Sequence, residues 1–217
     1  MEIKILKNVM IKNNAIGNDN KKIFNDKEVF VLNLTSSPGA GKTTLIESTL
    51  KLINDKRNSA VIEGDLYTSR DAERLQGFNI PLVQINTEGG CHLDARQIHH
   101  SIEDLDLENL DLLFIENVGN LVCPAEYDLG EHKRVLIYSV TEGEDKPRKY
   151  LNMFEAADLI LINKIELADI CRIDLDLVEN EIRDINPGAE VFRISALDEK
   201  SLKPWINWLN RGMENNH

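Results

Sequence analysis

Val29-Phe30-Val31-Leu32-Asn33-Leu34-Thr35-Ser36-Ser37-Pro38-Gly39-Ala40-Gly41-Lys42-Thr43-Thr44 decides the fold. Val29–Leu34 is a short, nearly continuous apolar run, the pattern of a strand covered on both faces. Ser36 to Thr43 follows the phosphate-loop rule G-x-x-x-x-G-K-[ST], with Ser36 in place of the first glycine. Helical periodicity begins at Thr43–Leu52. In this order, strand, glycine-rich turn and helix aim successive backbone N–H groups at one anion. Gly39 and Gly41 permit the backbone this requires, and the helix N-terminus adds partial positive charge. Lys42 is expected to reach the β- and γ-phosphates of a nucleoside triphosphate. The Thr43 hydroxyl is expected to bind Mg²⁺, with Ala40 and Thr44 completing the cradle.

The same alternation extends outward from this unit. Further candidate strands are Ala60–Ile62, Leu82–Ile85, Leu112–Ile115, Val135–Val140, Leu159–Ile162 and Val191–Ile194. Helical patterns occupy Leu93–Ile102, Leu175–Ile185 and Lys203–Leu209. Short apolar strands alternating with helices predict an α/β fold, a P-loop NTPase with a mostly parallel central sheet of about seven strands and helices on both faces. Ligands of such sheets bind at the carboxyl ends of the strands. This domain is expected to span residues 28–217. Residues 1–27 form a separate Lys- and Asn-rich segment. In it Ile3, Leu6, Val9 and Met10 fall at helical spacing, and Gly17 to Lys22 reads as a polar connection.

Composition narrows the function. The 217 residues carry 37 acidic against 25 basic side chains, a net charge of −12. An anionic surface of this kind repels a polynucleotide backbone, so no nucleic-acid partner is expected. Apolar runs such as Leu159 to Ile162 are too short to span a bilayer. Met1 to Met10 does not resemble a signal peptide, so a cytoplasmic protein with no membrane partner is expected. Three cysteines, Cys91, Cys123 and Cys171, make no disulfide framework and point to buried or metal-binding thiols.

Two further strands end in acids. Ala60–Ile62 leads to Glu63-Gly64-Asp65, and Leu112–Ile115 leads to Glu116-Asn117-Val118-Gly119. Mg²⁺ takes hard oxygen donors, so Asp65 and Glu116 are its candidate second ligands and, with Lys42, the candidate catalytic residues. Asp65, then Glu63, is the candidate for positioning the attacking water. Gly119 can offer an unobstructed N–H to the γ-phosphate. At the base end, Asn163-Lys164-Ile165-Glu166 is similar to the guanine-selecting N-K-x-D motif, with Glu166 in place of Asp. A carboxylate there pairs with two guanine N–H groups that adenine lacks. Ser195-Ala196 after the last strand is a candidate for the guanine oxygen contact.

Gly89-Gly90-Cys91-His92 precedes a helical pattern, and Cys123 lies just beyond Gly119. Thiolate and imidazole suit Ni²⁺ or Zn²⁺. Three ligands fall short of tetrahedral coordination, which a two-fold dimer pooling Cys91, His92 and Cys123 would complete. Against this stands a purely apolar packing role for the thiols. His99 and His100 sit on the same predicted helix as His92; His100 reads as solvated surface, with a place near the metal site as the alternative, and Cys171 reads as packing.

Taken together, Ser36–Thr44, Glu63–Asp65, Cys91–Ala95, Glu116–Cys123, Val140–Pro147 and Asn163–Glu166 resemble the HypB family. The resemblance implies a GTPase that converts GTP to GDP and phosphate, dimerises with nucleotide, and acts as a metallochaperone inserting nickel into nickel–iron hydrogenase. It implies Cys91, His92 and Cys123 as Ni²⁺ or Zn²⁺ ligands. Lys42, Thr43, Asp65 and Glu116 take the phosphate and Mg²⁺ roles. Lys149, rather than Lys146, is the implied basic residue reaching nucleotide across the homodimer. Implied partners are a HypA-type metallochaperone and the hydrogenase large subunit. Residues 1–27 contain neither Cys nor His, so nickel chemistry is expected within the GTPase domain. Two alternatives stand beside this. One is a urease-type nickel-insertion GTPase, whose relatives carry Cys-Pro-His where this chain has Cys123-Pro124-Ala125. The other is a metal-storage or sensing module with a structural nucleotide site.

Overall fold

The computed structural model describes residues 2–53, 55–65 and 74–216, with side chains from Val9 onward. The expected apolar positions Ile3 and Leu6 therefore lie outside the described side chains. Elements follow in the order α1 (Glu2–Asp26), β1 (Phe30–Ser36), α2 (Lys42–Ile53), β2 (Ser59–Asp65), β3 (Leu82–Asn86), α3 (Ala95–Ser101), β4 (Leu112–Glu116), β5 (Lys133–Ser139) and α4 (Lys146–Lys149). They continue with α5 (Leu151–Glu155), β6 (Leu159–Asn163), α6 (Ala168–Cys171), α7 (Leu175–Ile185), β7 (Glu190–Arg193) and α8 (Lys203–Glu214).

The seven strands form one sheet in the order β3-β2-β4-β1-β5-β6-β7. Every pairing is parallel, so the expected "mostly parallel" sheet is wholly so among the described residues. β1 lies at the centre, and all of its residues are buried. Alternate side chains serve opposite faces, as strand geometry requires. Phe30, Leu32 and Leu34 join Leu45, Leu50, Trp205 and Leu209 of α2 and α8. Val29 and Val31 join Phe24 and Ile98 of α1 and α3 on the other side. Farther along that second face, Met153, Phe154, Val178 and Ile182 cover β5 and β6. Trp205 is fully buried, and its indole N–H donates to Thr49 Oγ1 at 2.8 Å. No helix among the described residues is long and apolar enough to cross a membrane.

Two expectations change, and three short helices are added. Gly17–Lys22 is no connection, because α1 is helical throughout Glu2–Asp26 and packs along α3. Gly17 marks a close approach instead, where a Cβ would sit 2.9 Å from the Asp128 carbonyl oxygen. The helix predicted from Leu93 begins at Ala95, because Asp94 caps it. Its carboxylate accepts the Gln97 N–H, and the Gln97 side chain returns to the Asp94 N–H. His92 is thus on the preceding loop, off the helix of His99 and His100. Finally, α4, α5 and α6 are helices of four or five residues, too short to display periodicity.

Candidate nucleotide and metal site

Parallel register gathers the carboxyl ends of β1, β2, β4 and β6. Leu34 pairs with Glu116, and Glu63 with Glu116. The phosphate loop leaves β1 with Gly39 at φ 73° and Gly41 at φ 106°, in the left-handed region that favours glycine. Gly41 also has no room for a side chain, since a Cβ would lie 2.7 Å from Asn163 Nδ2. Lys42 and Thr43 open α2 and are buried. Lys42 Nζ donates to Ser36 Oγ at 3.0 Å, and Thr43 Oγ1 donates to Glu116 Oε1 at 2.7 Å. Gly119 is pressed against the loop, where a Cβ would come within 2.9 Å of Pro38 Cα. Asp65 ends β2, and its backbone carbonyl accepts the Thr87 N–H at 2.9 Å. The donor types fit Mg²⁺, a hard cation, and the turned loop with its helix N-terminus fits a polyphosphate.

Asn163 joins the base end to the phosphate end. Its Nδ2 donates to the Ala40 carbonyl at 2.8 Å, and its Oδ1 accepts the Ala196 N–H at 3.0 Å. Lys164 adopts φ 62° and donates to the Gly39 carbonyl at 2.7 Å. Ser195 is held by Ser201, whose Oγ accepts its N–H at 2.8 Å. Glu166 is exposed in the next turn. The structure therefore brings Asn163, Lys164 and Ala196 onto the loop of Gly39, Ala40 and Gly41. Lys149 makes no contact with this cluster among those described; it is exposed on α4 and ion-paired with Asp145, the residue just before that helix.

Cys91, His92 and Cys123 converge, their ligand atoms all within 4.8 Å of one another. Cys91 Sγ lies 2.8 Å from Cys123 Sγ and 3.4 Å from His92 Nδ1, and all three cysteines of the chain are free thiols. The His92 ring packs against Tyr127 in a tilted arrangement, with centroids 3.8 Å apart and planes at 34°. Its burial pushes the imidazole below its ordinary value, against the pull of Asp94 and Glu126. The Cys91 thiol is pushed up, first by its hydrogen bond with Cys123 and then by burial. A neutral imidazole and two adjoining thiols form a soft donor set that fits Ni²⁺ or Zn²⁺.

Several participants had no signal in the sequence. Asn120 Nδ2 donates to the Cys91 carbonyl at 3.1 Å. Ser37 Oγ donates to Glu142, which caps the turn after β5. Arg74 Nη2 reaches Thr44 Oγ1 at 3.0 Å and pairs with Glu47 on α2. His99 Nδ1 meets Asn20 Oδ1 at 2.8 Å, and His100 is exposed, as its surface reading expected.

Residues 30–193 match the family described as "CobW/HypB/UreG, nucleotide-binding domain". Over 209 residues, 96% of this chain and 69% of the relative, the chain is 47% identical to "Hydrogenase maturation factor HypB" of Azotobacter vinelandii. It is 44% identical over 212 residues to "Probable hydrogenase maturation factor HypB" of Methanocaldococcus jannaschii, covering 98% of this chain and 96% of that one. The fold superimposes with a TM-score of 0.90 on the crystal structure of HypB from Helicobacter pylori in complex with nickel. That match has 37% identity and covers 94% of this chain and 96% of that one.

Proposed function

Because the chain belongs to the HypB family of hydrogenase maturation factors, we propose that it is a Mg²⁺-dependent, cytoplasmic GTPase whose nucleotide state controls a dimer and its metal cargo. Lys42 holds the β- and γ-phosphates, and the amides of Gly39, Ala40, Gly41, Thr43 and Thr44 surround them. Thr43 and Glu116 face Mg²⁺, which when bound neutralises phosphate charge, and Asp65 orients the attacking water. Gly119 donates its N–H to the γ-phosphate. Asn163, Lys164, Glu166, Ser195 and Ala196 select guanine. Lys149 completes the nucleotide site from the partner copy.

The cargo is nickel, held by Cys91, His92 and Cys123, and its destination is the hydrogenase large subunit, with a HypA-type metallochaperone as the exchange partner. One observation carries this proposal. The 2.8 Å Cys91–Cys123 contact joins the segment following Gly119 to the loop following β3. A movement of the nucleotide-facing strand tip is thereby a movement of a metal ligand. The nickel-bound relative supports nickel as the cargo. The hydrogenase names of the relatives, together with Cys123-Pro124-Ala125, favour hydrogenase over urease.

Lys42→Ala tests the proposal against metal storage. The variant is expected to lose GTP turnover and, in cells, hydrogenase maturation, while the purified protein still binds Ni²⁺. Maturation that survives without turnover would establish the storage reading instead.

A further inference from the structure

Asn117 follows Glu116 directly and is only 1% exposed. Its Oδ1 accepts two backbone amides, Val118 at 2.9 Å and Leu93 at 3.1 Å. Its Nδ2 donates to Asn33 Oδ1 at 3.2 Å, and its own N–H donates to the Leu34 carbonyl at 3.0 Å. One carboxamide therefore touches three segments. Val118 precedes Gly119, Leu93 follows His92, and Asn33 lies on β1 just before the phosphate loop.

The line continues to the other metal arm. Asn33 Nδ2 donates to Glu131 Oε1 at 3.0 Å, and the same oxygen accepts Arg134 Nη2 at 2.7 Å. Burial opposes ionisation of Glu131, but Arg134 and Asn33 outweigh it and hold the carboxyl below its usual range. Arg134 then donates to the carbonyls of Ala125 at 2.9 Å and Tyr127 at 2.8 Å. Ala125 closes the turn begun by Cys123, and Tyr127 carries the His92 ring. None of Asn33, Asn117, Glu131 and Arg134 is more than 8% exposed. Polar groups buried in an apolar sheet face carry a desolvation cost, and a fully satisfied line of them fixes one arrangement of the segments it joins.

We propose that Asn117 is the positioning residue that couples nucleotide state to metal-site geometry. It acts on the Cys91–His92 arm through the Leu93 amide and on the Cys123 arm through Asn33, Glu131 and Arg134. The proposal rests on nucleotide and metal binding where the preceding section assigns them. The amides of Val118 and Leu93 share one oxygen. The strand tip therefore cannot shift toward a γ-phosphate without either carrying the metal loop with it or leaving a buried donor unpaired. Coupling of this kind is reciprocal between the two sites.

The test is Ni²⁺ binding to the full chain at fixed pH, titrated with GDP and with a non-hydrolysable GTP analogue. Wild type, Asn117→Ala and Asn117→Asp are compared. Wild type is expected to show an affinity ratio between the nucleotide states of about 5- to 150-fold, the usual range of allosteric coupling. In Asn117→Ala the ratio collapses toward one while nucleotide and metal each still bind. Asn117→Asp keeps an oxygen facing Leu93 but loses the donor to Asn33, and retains only the part of the ratio that runs through the Leu93 amide. An unchanged ratio in folded Asn117→Ala overturns the proposal and leaves the two binding sites standing, as does a wild-type ratio of one. Wild type that binds neither ligand removes the underlying function as well. Should Asn117→Ala not fold, hydrogen exchange of the wild-type Leu93 amide decides. Protection that differs between GDP and analogue, without metal, supports the coupling, and identical protection overturns it.

Discussion

Thr43 and Glu116, 73 residues apart in the chain, are joined by a 2.7 Å hydrogen bond from the threonine hydroxyl to Oε1 of the acid. Both are buried, at 5% and 4% exposure. The bond ties the first turn of α2 to the tip of β4, holding together two oxygens of the kind that Mg²⁺ takes as ligands.

Removing the hydroxyl is therefore expected to cost both catalysis and stability. Thr43→Ala should lower Mg²⁺-dependent GTP turnover by about 100-fold or more, the scale of losing one well-placed charge-stabilising group. Stability should fall by about 1–3 kcal/mol, because a buried carboxylate oxygen loses that donor. Thr43→Ser, which keeps the oxygen, should restore most of the rate in a phosphate-release assay.

Asn163 joins the Ala40 carbonyl to the Ala196 amide, both in buried surroundings. Asn163→Ala leaves both groups without that partner and should destabilise the protein by about 1–3 kcal/mol, read by urea unfolding. Guanine nucleotide affinity should fall with it. Glu166→Gln is exposed and should leave stability unchanged while narrowing the preference for GTP over ATP in competition binding.

The two thiols are predicted to act as one site. Cys91→Ser and Cys123→Ser should each weaken Ni²⁺ binding by more than about tenfold, since even outer-shell changes have effects of that size. GTP binding in the absence of metal should persist in both variants. Cys171→Ser, on α6 and outside the cluster, is expected to leave metal binding intact.

His132 makes folding sensitive to acid. Its Nδ1 accepts the Val31 N–H at 3.0 Å, which requires a neutral ring, and its Nε2 meets Asn25 Oδ1 at 2.8 Å. Burial, with Lys21 and Lys133 nearby, pushes its pKa down to about 4 despite Glu131. Above the unfolded value of about 6.5 both states are neutral and the group adds no pH dependence. As pH falls from there toward 4, only the unfolded chain takes up the proton, and stability drops. After discounting for partial exposure the loss is about 2 kcal/mol. Denaturation midpoints measured from pH 7 to pH 4 should show this decline, and His132→Gln should flatten it.

The sheet was legible in the sequence because buried parallel strands announce themselves as short apolar runs. Each of the seven runs, from Val29–Leu34 to Val191–Ile194, falls on an observed strand within three residues at either end. The phosphate loop was legible because its backbone geometry restricts which residues can stand there. Gly41 has no space for a Cβ, whereas Lys164 stands at a left-handed φ that disfavours lysine and was legible from its similarity to the guanine-selecting motif. The polar line through Asn33, Asn117, Glu131 and Arg134 left no local trace. Its members come from three strand regions, and an isolated asparagine in an apolar strand looks like any surface residue until its neighbours are known. For the same reason α1 was read as ending near Gly17, although Asn13 and Asn20 bond to Ala95 and to the Asp128–Leu129 segment across the helix interface. Such contacts are tertiary and override local helix propensity.

The account turns on a metal site governed by nucleotide. Metal-resolved native mass measurement of the purified chain, given Ni²⁺ and Mg²⁺ with either GDP or a non-hydrolysable GTP analogue, tests it most directly. A nickel-loaded dimer favoured by the analogue is the predicted result. A metal-free monomer with both nucleotides would contradict it.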